Sequence, residues 1–184
     1  METLESVIEG CKVGDEAMQA ELYRRYSPRF YLLCRRYAPD DDVAQQILVD
    51  SFLTIFAEVG HYRGEGAFEG WMQTIVVRQA IRSYKKNQRR WALFEDAEKE
   101  DFPYHQPDVG MQMDIREALV RALRLLSEKE RRVFNLVAME EYTLADAAEL
   151  LKLPESTVKT QYYRAQRFLK KRLMKHLGRH YLKN

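Results

Sequence analysis

Apolar side chains recur at intervals of three and four residues through most of this chain, the spacing that places them on one face of an α-helix. In the first half the repeat occurs in four stretches, 4–11, 17–33, 47–56 and 68–80. Asp15 and the acidic run at 39–42 are candidate helix starts, and Pro28 predicts a kink inside the second helix. The side chains expected to face inward are Leu4, Val7, Ile8, Cys11, Ala17, Leu22, Tyr26, Phe30, Leu33, Ile47, Leu48, Phe52, Ile55, Phe56, Phe68, Trp71, Ile75 and Ala80.

In the second half, capping pairs mark where helices begin. Ser127 and Glu130 form an S-x-x-E box before one apolar run, and Thr143 and Asp146 give a similar start for the next. Pro154 suits the first turn of the last helix. With a further helical repeat at 114–126, the pattern predicts four helices in this half as well.

Residues 144–169 have the pattern of a helix-turn-helix, in which a short helix, a tight turn and a longer helix pack through small residues. The expected inner positions are Leu144, Ala147, Ala148, Leu151, Leu153, Val158, Tyr162, Ala165 and Leu169. If they are buried, the longer helix turns short polar groups and cations outward. Such groups suit base edges in a major groove, with phosphates nearby.

Residues 94–112, between the two halves, are acidic, contain proline and lack a helical repeat, which predicts a flexible linker. From Gly70 to Phe94 there are six Lys or Arg residues and no acid, and from Ser156 to Asn184 there are nine and again no acid. The chain is therefore expected to be all-α. It would have a four-helix domain at 1–93, a linker at 94–112 and a four-helix domain with the helix-turn-helix at 113–184, each domain with a basic surface.

Composition argues against several classes of protein. Cys11 and Cys34 could form at most one disulfide, which is no disulfide framework, and a reducing cytoplasm fits. The first ten residues do not resemble a signal peptide, and no stretch reaches the roughly 20 apolar residues of a membrane span. Of the four histidines only His176 and His180 have helical spacing, and no carboxylate accompanies them. Neither a metal, a cofactor nor catalysis is expected.

Two sets of motifs resemble a known family. The segment LLSEKERRVFNLVAMEEYTLADAAELLKLPESTVKTQYYRAQRFLKKRL is similar throughout to region 4 of the sigma-70 family, specifically its extracytoplasmic-function (ECF) sigma factors. In the first half, LYRRYSPRFYLLCRRY is similar to region 2.1, and YRGEGAFEGWMQTIVVRQAIRSYKK resembles regions 2.3 and 2.4. The resemblance covers nearly the whole chain except the linker.

The resemblance implies a bacterial initiation factor whose partners are core RNA polymerase and promoter DNA, with an anti-sigma protein as a further candidate. The C-terminal domain would read the −35 element, through Ser156, Lys159, Thr160, Tyr163, Arg164, Arg167 and Lys171. The N-terminal domain would open the −10 element, through His61, Tyr62, Arg63, Arg78, Arg82, Lys85 and Lys86. The implied contacts to core polymerase are Arg36, Gln46 and Asp50.

Some positions depart from the family pattern. Lys152 stands in the turn where glycine is frequent, and it is expected to adopt a left-handed conformation at a cost of ~1–2 kcal/mol. Gln161 replaces a usual arginine, Arg78 replaces a common asparagine near the flipped-base pocket, and the run at 46–50 differs from the usual clamp-binding sequence. The −10 preference and the clamp contact are therefore left open.

For several side chains the sequence supports two interpretations. It favours core packing over DNA contact for Phe68 and Trp71, and it does not decide between the two for Tyr62. Arg29, Arg35 and Arg36 are equally compatible with a polymerase contact and with a solvated surface.

Three other functional classes remain as alternatives. An enzyme would need a nucleotide-binding loop or a catalytic cluster, and the sequence offers neither. A DNA-binding regulator acting without core polymerase would explain the helix-turn-helix but would not need the segment 61–90. A helical adaptor without nucleic acid would show no salt-dependent DNA binding.

Overall fold

The computed structural model describes residues 2–86 and 115–181, with side chains at 2–83 and 119–172, and every regular element in them is helical. The chain divides into two compact units, Met1–Gln88 and Arg89–Asn184. This confirms the predicted all-α class. The predicted linker, 94–112, lies outside the described residues, so its boundaries remain a prediction.

Unit 1 contains the four helices expected from the apolar repeat. They are α1 (Leu4–Lys12), α2 (Glu16–Tyr37), α3 (Asp41–Glu58) and α4 (Phe68–Lys86), with a 3₁₀ turn at Val59–His61 after α3. The side chains of Thr3, Asp15 and Asp40 cap the first three helices by accepting backbone N–H groups. The predicted cap at Asp15 is confirmed, with its Oδ1 2.8 Å from the nitrogen of Ala17.

Helix α2 has the predicted extent and continues through Pro28 to Tyr37, and the kink at Pro28 stays a prediction. One core assignment on this helix differs from the prediction. Ala17 is exposed, and its assignment to the core was wrong. Met18 faces α1 instead: a Cβ atom added to Gly10 would lie 2.7 Å from Met18 Cβ, so the two helices cross closely at this pair.

Helix α3 forms the centre of unit 1, packed against both α2 and α4. Ile47, Phe52 and Ile55 are buried, and the Phe52 ring lies 4.7 Å from that of Tyr23 between centroids. By length and composition, Asp41–His61 could also cross a membrane, the one such stretch among the described residues. Because its apolar side chains pack against neighbouring helices, we interpret it as the core helix of the unit.

Unit 2 also has four helices in its described part. They are α5 (Ile115–Arg124), α6 (Glu128–Phe134), α7 (Leu144–Leu151) and α8 (Glu155–Tyr181), with a π-helical turn at Asn135–Met139 after α6. The core cluster of α5 and α8 is formed by Ala122, Leu123, Leu126, Ala165 and Leu169, with Leu119 and Phe134 packed against it. The long helix α8 is therefore held along one face by the helices before it.

Buried charges in α6 support this core, and the apolar repeat did not predict them. The Arg131 side chain is 2% exposed, and its Nη2 donates to the carbonyls of Arg124 and Leu126, each at 3.1 Å. It thereby satisfies carbonyl groups at the end of α5 that lack helical partners. Glu128 is 1% exposed and forms an ion pair with Arg132 one turn later.

The predicted capping boxes differ in completeness. Thr143 and Asp146 form the full reciprocal box, with each backbone N–H donating to the other side chain. Ser127 accepts from the Glu130 backbone, but its hydroxyl donates to the Glu130 carboxylate at 2.8 Å. The glutamate therefore binds the serine side chain rather than its backbone.

The turn between α7 and α8 has the strained conformation that the sequence predicted. Lys152 has φ 55° and ψ 47°, the left-handed region that favours glycine. This conformation directs the chain through Leu153 to Pro154, whose carbonyl accepts the first backbone bond of α8 from Val158 at 3.1 Å. Pro154 therefore lies immediately before α8 rather than inside its first turn.

We expect Lys152→Gly to stabilise unit 2 by about 0.5–1 kcal/mol. The substitution removes a strain of ~1–2 kcal/mol, and the greater freedom of glycine in the unfolded chain offsets part of the gain. Hydrogen exchange of amides in α7 and α8 measures the change in opening free energy. Lys152→Ala is the matched control because alanine keeps the Cβ atom. Equal stabilisation by both variants would show that strain is not the cause.

A second prediction concerns the two thiols, which are free and buried. Burial raises the pKa of the Cys34 thiol to about 12, and burial together with the nearby Asp15 carboxylate raises the pKa of Cys11. Because the thiolate is the reactive species, maleimide labelling at pH 8 should be more than about a hundredfold slower in the folded protein than in guanidinium. Mass spectrometry should then find two labels per unfolded chain. Rapid labelling of the folded chain would contradict the burial of these side chains.

Candidate nucleic-acid interface

The orientation of α8 determines which of its side chains reach solvent. Val158, Ala165 and Leu169 are buried, and successive helical positions rotate by about 100°, so the opposite face centres on Ser156, Tyr163 and Arg167. All seven residues predicted for the −35 contact are exposed: Ser156, Lys159, Thr160, Tyr163, Arg164, Arg167 and Lys171. The structure therefore brings them together on one helix face.

Two adjacent tyrosines on α8 have different environments. Tyr162 is half-buried, its ring stacks on Phe134 with centroids 6.1 Å apart, and its hydroxyl accepts from Gln166 Nε2 at 3.0 Å. Tyr163 is 52% exposed. Tyr162 thus joins α8 to α6, and Tyr163 is available to a partner.

The exposed face of α8 is strongly cationic. Lys159, Arg164, Arg167, Lys170 and Lys171 are all exposed, and within the described part of the chain none of them has a carboxylate partner. Glu155 is the only acid on the helix, at its first turn. A row of unneutralised cations with short polar groups at one end matches the chemistry of a duplex, phosphates beside base edges.

A second candidate surface begins at the loop between α3 and α4. Gly64 and Gly66 have φ values of 78° and 80°, which allow a tight loop, and the Tyr62 hydroxyl donates to the Gly66 carbonyl at 2.7 Å. The rings of Tyr62, Phe68 and Trp71 pack together with centroids 4.9–5.5 Å apart. The predicted residues His61 and Arg63 flank Tyr62 and are exposed.

The burial of these rings bears on whether each one packs in the core or is accessible to DNA, which the sequence left partly open. Phe68 is 4% exposed and belongs to the core, as the sequence favoured. Trp71 and Tyr62 are only half-buried, so each keeps part of its ring accessible. An accessible aromatic pair is the feature on which an unpaired base can stack.

Helix α4 continues this surface with positive charge. Trp71, Arg78 and Arg82 are seven and four residues apart, which places them on one helix face, and both arginines are exposed. From the sequence, the two arginines were predicted to contact DNA and Trp71 was predicted to pack in the core. The helical spacing could already have placed all three side chains on one face of α4. Lys85 and Lys86 are the last helical residues of α4, and their side chains lie outside the described residues.

One contact near this surface was missed. Arg29 on α2 forms an ion pair with Glu69 in the first turn of α4, beside Phe68. The pair neutralises an acid that would otherwise repel phosphates next to the aromatic rings. For Arg29, the sequence had left open the choice between a polymerase contact and a solvated side chain, and the ion pair with Glu69 was neither of these.

The residues predicted to meet polymerase lie on α2 and α3. Gln46 Nε2 donates to Asp50 Oδ1 at 2.8 Å, and Arg36 is half-buried near the end of α2. On the same side of α3 as Gln46 and Asp50, Val49 and Leu53 are exposed, Leu53 by 63%. An exposed apolar pair beside polar groups is typical of a protein-binding face.

Two parts of the chain match known protein-domain families. Residues 22–90 match Sigma-70 region 2, and residues 116–169 match Sigma-70, region 4; together they cover about two thirds of the chain. It is 29% identical over 153 residues to the ECF RNA polymerase sigma factor SigM of Mycobacterium tuberculosis, covering 83% of this chain and 76% of that protein. It is 25% identical over 181 residues to the ECF RNA polymerase sigma-E factor of Haemophilus influenzae, covering 93% and 95%.

Solved structures share the fold. The sigma factor RpoE of Bartonella quintana, solved with the anti-sigma factor NepR, aligns with a TM-score of 0.54 at 18% identity, over 84% of this chain and 95% of that one. CnrH, solved with the cytosolic domain of CnrY, aligns with a TM-score of 0.51 at 17% identity, over 91% and 94%.

We expect the double variant Lys159→Gln, Arg167→Gln to reduce the salt dependence of duplex binding by the full chain. Each lost phosphate contact lowers the slope of log K against log salt by about 0.9, so the pair should lower it by about 2. Fluorescence anisotropy with a labelled duplex between about 20 and 150 mM salt measures the slope. Lys12→Gln, on α1 in the other unit, should leave it unchanged. An unchanged slope in the double variant would remove these two cations from the interface.

Proposed function

Because the chain belongs to the ECF group of the sigma-70 family and therefore directs core RNA polymerase to promoters, we propose how its two units divide that work. The observation that carries the proposal is that each unit presents one helix whose buried stripe fixes an exposed, cationic opposite face. Those helices are α8 in unit 2 and α4 in unit 1. We retain 1–93, 94–112 and 113–184 as the DNA-opening domain, the linker and the −35 domain.

In this proposal unit 2 binds the −35 element as a duplex. The N-terminal half of α8 enters the major groove, where Ser156, Thr160 and Tyr163 meet base edges and Lys159 binds a nearby phosphate. Arg164, Arg167 and Lys171 bind phosphates and set the register of the helix on the duplex. Support comes from the exposure of all seven side chains and from the packing that fixes the rotation of α8.

Unit 1 would bind the −10 element as an opened strand. Melting costs on average ~1.4 kcal/mol per base step, and stacking an extruded base on an aromatic side chain returns ~1–3 kcal/mol. Tyr62 and Trp71 offer such a platform, Arg63, Arg78 and Arg82 surround it with positive charge, and His61 flanks Tyr62 as a further polar contact. Lys85 and Lys86 would extend the phosphate contacts along α4.

The face of α3 is proposed to meet core polymerase. Gln46 and Asp50 supply the polar contacts predicted from the sequence, Arg36 supplies a cation from α2, and Val49 and Leu53 add the apolar area. This arrangement leaves the exposed face of α4 free to bind DNA while polymerase is bound to α3.

Further elements of the proposal follow from the family. The chain would work in the cytoplasm, where core polymerase is found, and would itself carry no catalytic group. An anti-sigma protein would hold it inactive by covering these surfaces. In the solved structures, RpoE is in complex with the anti-sigma factor NepR, and CnrH is in complex with the cytosolic domain of CnrY.

The test is run-off transcription with core polymerase on a randomised promoter library. Core polymerase with this chain should initiate at a defined promoter, and core polymerase alone should not. A duplex-binding chain that fails to support initiation would instead favour the regulator that acts without polymerase.

On the promoter so obtained, Arg78→Gln with Arg82→Gln should separate binding from opening. We expect nuclease protection of the −35 element to persist, while permanganate reactivity of −10 thymines falls at least about tenfold, because two charged contacts to the opened strand are lost. Lys12→Gln serves as the control in both measurements. Parallel loss of protection and permanganate reactivity would place these arginines in initial binding instead.

A further inference from the structure

Thr160 lies within the exposed face of α8, but its hydroxyl is already engaged. Its Oγ1 donates to the Ser156 carbonyl one turn earlier, at 2.9 Å. A threonine bonded back to its own helix spends its only donor on the backbone. The Cγ methyl group and the two acceptor lone pairs of the oxygen are then what the side chain offers to a partner.

The side chains around Thr160 set an apolar contact by this residue apart from the charged contacts next to it. Tyr163 lies three residues later on the same face and is 52% exposed, so its ring adjoins the Thr160 position. Among the exposed residues that flank Thr160, Lys159, Arg164 and Arg167 are cations, and Ser156 is a short polar residue. The face thus combines a small apolar spot with a charged rim, and the rim pairs with phosphates of any sequence.

Among the groups displayed in a major groove, the C5-methyl of thymine is the apolar one. We propose that Thr160 recognises a thymine in the −35 element by methyl–methyl contact, and not by donating a hydrogen bond to a base. The proposal rests on the proposed −35 role of unit 2 and deepens it by naming the chemistry that one residue reads. Thr160 is thereby a specificity residue, and the cations around it supply affinity.

Two substitutions separate the effect of the Thr160 methyl group from that of its hydroxyl group. Thr160→Ser keeps the hydroxyl and removes the methyl, whereas Thr160→Val keeps a methyl and removes the hydroxyl. Both residues are tolerated at an exposed helical position, and circular dichroism verifies the fold of each variant. The matching change in the DNA is deoxyuridine in place of thymidine, because this removes only the C5-methyl of the base.

The experiment measures binding of the reconstituted holoenzyme to the promoter selected by run-off transcription, with deoxyuridine placed at one −35 thymine at a time on either strand. For the unsubstituted chain, one position should weaken binding about fourfold, the factor produced by one buried methyl group. Thr160→Val should retain both the affinity and the uracil penalty. Thr160→Ser should bind the thymine promoter about fourfold more weakly and lose the penalty.

Thr74→Ser is the matched control, because Thr74 has the same back-bonded hydroxyl, to the Gly70 carbonyl at 2.9 Å, but lies in unit 1. It should retain the uracil penalty at the −35 element. The inference is overturned if no thymine methyl affects binding, if Thr160→Ser keeps the penalty, or if Thr160→Val loses affinity and Thr160→Ser does not. Promoter initiation that persists in any of these cases would leave the proposed function standing, whereas absence of initiation by the unsubstituted chain would remove the proposed function itself.

Discussion

The rotation of each DNA-facing helix about its own axis is the constraint on which the rest of the molecule depends. A helix has one face toward the core, so burying Val158, Ala165 and Leu169 determines which side chains of α8 can reach a duplex. A rotation by a single residue, about 100°, would replace the Ser156–Tyr163–Arg167 face with a different set. The buried Arg131 and the stacked Phe134–Tyr162 pair serve this purpose, because they position α5 and α6 against α8.

The same constraint operates in unit 1 with a different result. Helix α4 packs its apolar stripe on α3, so Arg78 and Arg82 face outward, and Trp71 lies where the stripe meets the surface. Trp71 therefore has both a packing role and an accessible ring. The Arg29–Glu69 ion pair adds to this arrangement by neutralising the one acid in the first turn of α4. Arg29 is exposed and Glu69 is half-buried, so we expect the pair to contribute little stability and to act through the charge presented to a strand.

The periodicity of apolar residues predicted the helices and the exposed face of α8. The polar residues before the helices predicted caps such as Asp15 and Thr143, because these features follow from local geometry. The left-handed Lys152 was predicted from the family resemblance, because glycine is frequent at that position of the turn. Contacts between different helices could not be predicted from the sequence pattern in the same way. Met18 rather than Ala17 faces α1 because of how two helices cross at Gly10, and the pairing of Arg29 with Glu69 joins residues forty positions apart. The half-buried state of Trp71 likewise depends on the loop that folds Tyr62 against it.

Affinity and discrimination are carried by different side chains on α8, and their chemistry explains why. Cations attract every phosphate equally, so Lys159, Arg164 and Arg167 strengthen binding to any duplex without choosing among sequences. Discrimination then falls to the few uncharged groups between them, whose geometry the helix itself restricts. Ser156 supplies the carbonyl that engages Thr160, so the backbone determines which part of the threonine faces outward. A side chain whose only hydrogen-bond donor is spent within the helix presents its methyl group to the bases, and in a major groove the thymine methyl is the apolar feature that such a contact detects.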